Sequence, residues 1–206
     1  MSSISPDLYR VVGVQSLARL RAVILADLTL ADTRRREMAS ALKTVAIAVR
    51  KPLEMISTCP RALRPMLVGL TPTIVGVSAG RWRNTLSFLG GALRHQDPDF
   101  VPRRHDLKPS PAWASCLGLL KDGPHTTYYL GKLARYATQR GVEPAAINDA
   151  SMAQFEEDLT SRSLVTEPAR LAREAAKAWN CASDTYLGWP QQRLTIPDNR
   201  ELFSLP

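Results

Sequence analysis

Apolar residues recur along this chain at three- and four-residue steps, and the period-two alternation of strands is nearly absent. Met38, Leu42, Val45 and Val49 share one face of a helix predicted over residues 29–51. Arg34, Arg35, Arg36 and Lys43 fall largely off that face. Pro52 ends it, because the residue before a proline is pushed out of the helical region. A short helix is expected over residues 60–70, with Pro60 in its first turn. Thr71, Pro72 and Thr73 break the pattern. Ser78 then caps a helix running to His95, with Trp82, Leu86, Leu89 and Leu93 as its apolar face. Gly90 and Gly91 weaken that helix or admit a close neighbour.

Residues 97–109 hold Asp97-Pro98, Val101-Pro102 and Lys108-Pro109 and read as a linker. A second set of helices follows. Ser110 caps one from Pro111 to near Gly123-Pro124. Thr126 or Thr127 opens the next, with Leu130, Leu133 and Ala137 inward and Arg140-Gly141 at its end. Asp149 caps a third, containing Met152, Phe155 and Leu159. Thr166-Glu167-Pro168 starts a fourth, through Leu171, Ala175, Ala178 and Trp179 to about Ser183. Residues 188–206 hold three prolines and read as extended. The expected fold is all-α: two small helical bundles joined by a Pro-rich linker, with an extended C-terminal tail. Its parts are a leader (1–28), a basic helical unit (29–96), the linker (97–109), a four-helix unit (110–187) and the tail (188–206). The two units show a weak internal repeat, Pro52 matching Pro144, Leu63 Phe155 and Leu67 Leu159 at an offset of 92.

Composition narrows the class. At 206 residues and 45% hydrophobic, the chain can bury a core and is too apolar for a disordered tail. Its best apolar run, residues 45–49, falls far short of the roughly 18–20 residues a membrane span needs. The N-terminus, with Asp7, Arg10 and Arg19 scattered through it, is a poor signal peptide. A cytoplasmic protein with no membrane partner is expected. Cys59, Cys116 and Cys181 are far apart, with no CxxC pair and no His at zinc-ligand spacing. No metal or cofactor is therefore expected. Neither a Gly-rich phosphate loop nor HExxH nor GxSxG occurs. Trp82 and Trp179 sit in apolar stripes as core anchors, and Glu156, Glu157 and Asp158 read as a solvated turn.

Charge adds a partner class. The net charge is +8 and the pI about 9.8. Residues 29–108 carry 14 basic and 6 acidic side chains, whereas residues 109–206 carry 10 and 11. A locally basic surface attracts a polyanion through its field and through counterion release.

The second unit carries a family resemblance. "YLGKLARYATQRGVEPAAINDASMAQFEEDL" resembles the SAM-like core-binding domain of tyrosine recombinases of the phage-integrase family. "GWPQQRLTIPDNRELFSLP" is similar to the linker of a divergent integrase-like subgroup, and "VSAGRWRNTLSFLGGALRH" to a stretch upstream in the same subgroup. The resemblance implies a helical clamp that holds double-stranded DNA near a second, catalytic domain with an Arg/His/Arg/Tyr set. The chain stops at Pro206, about where that domain should start. Tyr9, Tyr128, Tyr129, Tyr136 and Tyr186 lack the required Arg/His/Arg context, so no recombinase nucleophile is assigned and no enzyme activity is expected.

The expected function is a DNA-binding module, nucleoid-associated when bound and oligomeric only on DNA if at all. Its candidate contacts are Lys43, Arg50, Lys51, Arg81 and Arg83 in the first unit, and Lys132, Arg135, Arg140, Arg170, Arg173 and Lys177 in the second. Glu167 and Glu174 lie close enough in sequence to neutralise the last group. The alternative is a helical protein-interaction or regulatory subunit, binding a recombinase catalytic subunit in trans or another acidic partner.

Overall fold

Nine α-helices and no strand form among residues 16–120 and 124–196, the residues that the computed structural model describes. The expected all-α class is borne out. Residues 1–15 of the leader, with Tyr9, lie outside the described residues, as do Gly123 and the last ten residues of the tail. The chain divides into two compact units. Unit 1 comprises residues 1–100 with 161–166, and unit 2 the remainder.

Unit 1 begins earlier than the periodicity predicts. Helix α1 (Leu17–Ala26) is capped by Ser16, whose hydroxyl accepts from Arg19 N at 3.3 Å. It buries Leu17, Leu20 and Ile24, so residues assigned to a leader supply part of the core. Thr29 then donates twice to Asp27 Oδ1, at 2.8 Å from its N–H and 2.7 Å from its hydroxyl. That turn delays α2 to Asp32–Val49, three residues past the predicted start. Asp32 holds Arg35 at 2.7 Å and Arg36 at 2.6 Å in its first turn. Met38, Leu42 and Val45 bury as expected, joined by Ala39, Ala41 and Ala46. After α2 a 3₁₀ turn, Leu53–Met55, brings Ile56 fully into the core, where its carbonyl accepts from Leu17 N at 2.8 Å.

Helix α3 (Pro60–Leu67) stops short of residue 70; Pro65 lies inside it and removes a backbone donor. Thr71-Pro72-Thr73, read as a break, forms instead the start of the one-turn helix α4 (Pro72–Val75), because Thr71 Oγ1 accepts from Ile74 N at 3.3 Å. Helix α5 (Ala79–Gln96) has the expected Ser78 cap, at 3.3 Å from Arg81 N. It buries Trp82, Leu89 and Leu93 together with both glycines. His95 Nε2 pairs with Asp27 at 2.8 Å, tying the ends of α5 and α1. Residues 161–166 complete unit 1: Arg64 Nη2 donates to Ser163 O at 3.0 Å, and Leu164 packs on the core.

Unit 2 contains α6 (Pro111–Leu119), α7 (Pro124–Gln139), α8 (Asp149–Ser161) and α9 (Pro168–Thr185). Ser110 caps α6 as expected, but the helix ends at Leu119 rather than near Gly123, and α7 starts at Pro124 ahead of both threonines. The cap of α8 is Asn148, not the expected Asp149. Asn148 Oδ1 accepts from Ser151 N at 2.9 Å, and Ser151 Oγ accepts from Asn148 N at 2.8 Å. Asp149 is the first helical residue, and its carboxylate holds Thr195 by N–H at 2.7 Å and by hydroxyl at 2.6 Å. Asp158 is not solvated: it is 2% exposed and accepts from Tyr136 Oη at 2.8 Å and Arg140 Nη2 at 3.0 Å.

The tryptophans centre this unit. Trp113 and Trp179 meet edge-on at 6.0 Å, and Trp179 and Trp189 at 5.2 Å. The segment after α9 is without regular structure to residue 196 but firmly attached. Trp179 Nε1 donates to Gln192 O at 2.7 Å, and Asn180 exchanges two 2.8 Å bonds with the backbone of Leu194.

Candidate nucleic-acid interface

The apolar stripe of α2 faces the core, and its geometry fixes what faces out. Arg36, Ser40, Lys43, Ile47 and Arg50 follow at steps of four and three and are all exposed. The three cations among them therefore lie at two-turn intervals of about 10.5 Å. Lys43, Arg50 and Lys51 line one shallow groove with Ile47, Pro52 and Leu53. On the other side, Arg36, Glu37, Ser40 and Thr44 face Arg81, Asn84 and Phe88 across a groove between α2 and α5. The guanidinium of Arg34 lies over the Phe88 ring at 5.1 Å. Arg83 is exposed on α5 but does not line that groove. No acid occupies the first turn of α5, so Arg81 sits at the positive end of a helix without compensation.

Lys43, Arg50, Lys51, Arg81 and Arg83 are all exposed, and among the described residues none of them makes an ion pair. Sequence reasoning left out Arg34, Arg36 and Asn84. The seven-residue spacing from Arg36 to Lys43 to Arg50 was the available signal for Arg36. That residue is partly committed, to Asp32.

Unit 2 uses its cations differently. Lys132 Nζ lies over the Tyr128 ring at 4.8 Å. Arg135 is half-buried, and burial, then the nearby Arg104, lowers its pKa; its Nε is shielded and makes no hydrogen bond. Arg140 bonds the buried Asp158. Arg170 pairs with Glu167 at 2.8 Å, and that hydrogen bond raises its pKa. Lys177 pairs with Glu174 at 2.7 Å, and Arg173 is half-buried with a shielded Nε. The two glutamates do neutralise their neighbours.

No group of three or more His, Cys, Asp or Glu that could hold a metal comes together among the described residues. Cys59, Cys116 and Cys181 are free thiols, and burial, then Glu143, raises the pKa of Cys116. Tyr136 is engaged with Asp158, and burial before that bond raises its pKa. No described helix is long and apolar enough to cross a membrane. Comparison of the chain with protein families, with curated proteins and with solved structures finds no match.

Proposed function

We propose that this chain is a DNA-binding module of the integrase type that grips the phosphate backbone of duplex DNA, chiefly through unit 1, and does not itself catalyse strand exchange. The observation that carries the reading is the set of five exposed cations on α2, its C-terminal end and α5 that no carboxylate among the described residues neutralises. From Arg36 to Arg50 the outer face of α2 spans about 21 Å, roughly six base-pair rises of duplex. In unit 2, by contrast, Arg140, Arg170 and Lys177 would each have to leave an intramolecular carboxylate to reach a phosphate. Integrase kinship rests on the sequence resemblance of residues 30–206 alone. On this reading the protein works in the cytoplasm at the nucleoid.

Fluorescence anisotropy with a labelled duplex tests it. Five phosphates neutralised give a log–log salt slope of about −4.5, so affinity falls roughly 10²–10³-fold between 50 and 200 mM salt. Lys43→Glu with Lys51→Glu is expected to abolish binding, and Arg170→Ala with Lys177→Ala to leave it within a few-fold. No binding of the wild type at 50 mM salt overturns the proposal.

A second reading has its own observation. Ile47 is 75% exposed beside Pro52 and Leu53, ringed by Lys43, Arg50 and Lys51. An apolar floor with a cationic rim fits an acidic protein, such as a recombinase subunit supplied in trans. Ile47→Ser discriminates: it weakens a protein complex and leaves duplex affinity unchanged.

A further inference from the structure

Two helices end in the same hydrogen-bonded motif with different residues at its left-handed position. At the end of α2, Lys51 N donates to Ala46 O and Arg50 N to Ile47 O, each at 3.1 Å. At the end of α7, Val142 N donates to Ala137 O at 2.8 Å and Gly141 N to Thr138 O at 3.1 Å. These are the paired bonds of a Schellman cap. Gly141 takes the left-handed position at φ 68°, and Arg50 takes it at φ 57°.

What surrounds the motif is alike in the two units. A 3₁₀ turn follows each cap, Leu53–Met55 and Pro144–Ala146. Each turn delivers a buried isoleucine, Ile56 or Ile147, whose N–H bonds back to the first residue of the turn. A constant offset of 91 relates Leu42 to Leu133, Ala46 to Ala137, Arg50 to Gly141 and Ile56 to Ile147. Each unit also contains an 18-residue helix farther along, α5 or α9. The same local architecture therefore accepts glycine at this position.

Among the described residues, Arg50 is the one non-glycine residue at positive φ. A Cβ there crowds the following carbonyl oxygen, which is why glycine is favoured. Among the described residues nothing explains the arginine: its side chain is exposed and no described carboxylate holds it. It stands beside Lys43 and Lys51 on the groove at the end of α2. A left-handed backbone kept with an exposed guanidinium that no described carboxylate holds points to an external anion, and the planar fork of Arg suits a phosphate.

We infer that Arg50 is a phosphate-contacting residue of unit 1, retained in a left-handed conformation that its counterpart Gly141 adopts without strain. This inference rests on the DNA-binding reading and deepens it.

Full-length wild type, Arg50→Gly and Arg50→Lys are compared by thermal unfolding and by duplex anisotropy at several salt concentrations. Arg50→Gly is expected to raise Tm by about 2–4 °C. The same change is expected to weaken duplex binding about tenfold and make the salt slope shallower by about 1. Arg50→Lys keeps the backbone strain and the charge, and is expected to hold Tm and the salt slope near wild type. A wild type that binds while Arg50→Gly matches it in affinity and slope overturns the inference and leaves the DNA-binding reading standing. A lower Tm for Arg50→Gly overturns the strain argument, and the inference with it. A wild type that does not bind overturns both readings.

Discussion

The phenol of Tyr136 donates to Asp158 at 2.8 Å in the interior of unit 2, pinning α7 to α8. The same carboxylate oxygen takes Arg140 Nη2 at 3.0 Å. Asp158→Ala strands a buried hydroxyl and a half-buried guanidinium, and is expected to destabilise the chain by about 3 kcal/mol in urea titration. Tyr136→Phe removes one bond and leaves the arginine, and is expected to cost about 1–2 kcal/mol. Burial, then Asp158, raises the Tyr136 pKa above its ordinary value of 10.0. The folded state therefore favours the neutral phenol. Its contribution is complete below pH 10 and is lost as pH rises further, a loss that Tyr136→Phe should abolish.

Asn180 fastens the segment after α9 by giving its amide to Leu194 O and taking Leu194 N, both at 2.8 Å. Asn180→Ala leaves both backbone groups of Leu194 without that partner, at an expected cost of about 2–3 kcal/mol. Limited proteolysis should then cut near residues 190–196 in the variant and spare the wild type under the same conditions.

Asp149 holds the same segment from a different helix. Its two bonds from Thr195, the hydroxyl bond first, keep the carboxyl below its ordinary value of 3.8. A depressed carboxyl stabilises the fold above the unfolded value and ceases to do so as pH falls through the folded one. The stability difference between wild type and Asp149→Ala is therefore expected to be constant from pH 7 to about pH 5. It should start to shrink only as pH falls below 3.8 and go on shrinking through the lower folded value, and a difference lost above pH 3.8 contradicts the assignment.

Two glycines of unit 2 should respond to alanine with opposite sign. Gly131 lies inside α7, and a Cβ there would meet only the Arg135 guanidinium, at 3.5 and 3.8 Å. Gly131→Ala is expected to stabilise by about 0.5–1 kcal/mol. Gly141 has nothing within 4 Å of such a Cβ but stands at φ 68°. Gly141→Ala is expected to destabilise by about 1–2 kcal/mol. Thermal unfolding of the pair separates backbone strain from crowding.

Helix interiors were legible because their apolar stripes are local. Met38, Leu42 and Val45, or Met152, Phe155 and Leu159, are buried at the spacing that predicts them. Ser78 and Ser110 were readable as caps for the same reason. Helix α1 was not, since Leu17, Leu20 and Ile24 make a stripe of three in a segment that reads as a leader. Asn148 and Asp149 are both good caps by type. Asn148 takes the cap through its reciprocal pair with Ser151, while Asp149 is engaged by Thr195, 46 residues downstream. The burial of Asp158 is not legible in the sequence, because three adjacent acids look solvated while its partners lie 22 and 18 residues earlier. Among the candidate cations, the Glu167 and Glu174 pairs were visible at three-residue spacing; the Arg140 commitment depended on the fold.

The edge-on tryptophan trio has a practical consequence. Of the four tryptophans, Trp113, Trp179 and Trp189 belong to unit 2 and Trp82 alone to unit 1. The near-ultraviolet signal of the intact protein is thus dominated by coupled indoles 5.2 and 6.0 Å apart in one unit. A single Trp82→Phe exchange would make that signal a spectroscopic reporter of unit 2 alone. The converse triple exchange would remove the coupled indoles, so unit 1 is best followed by its own added chromophore.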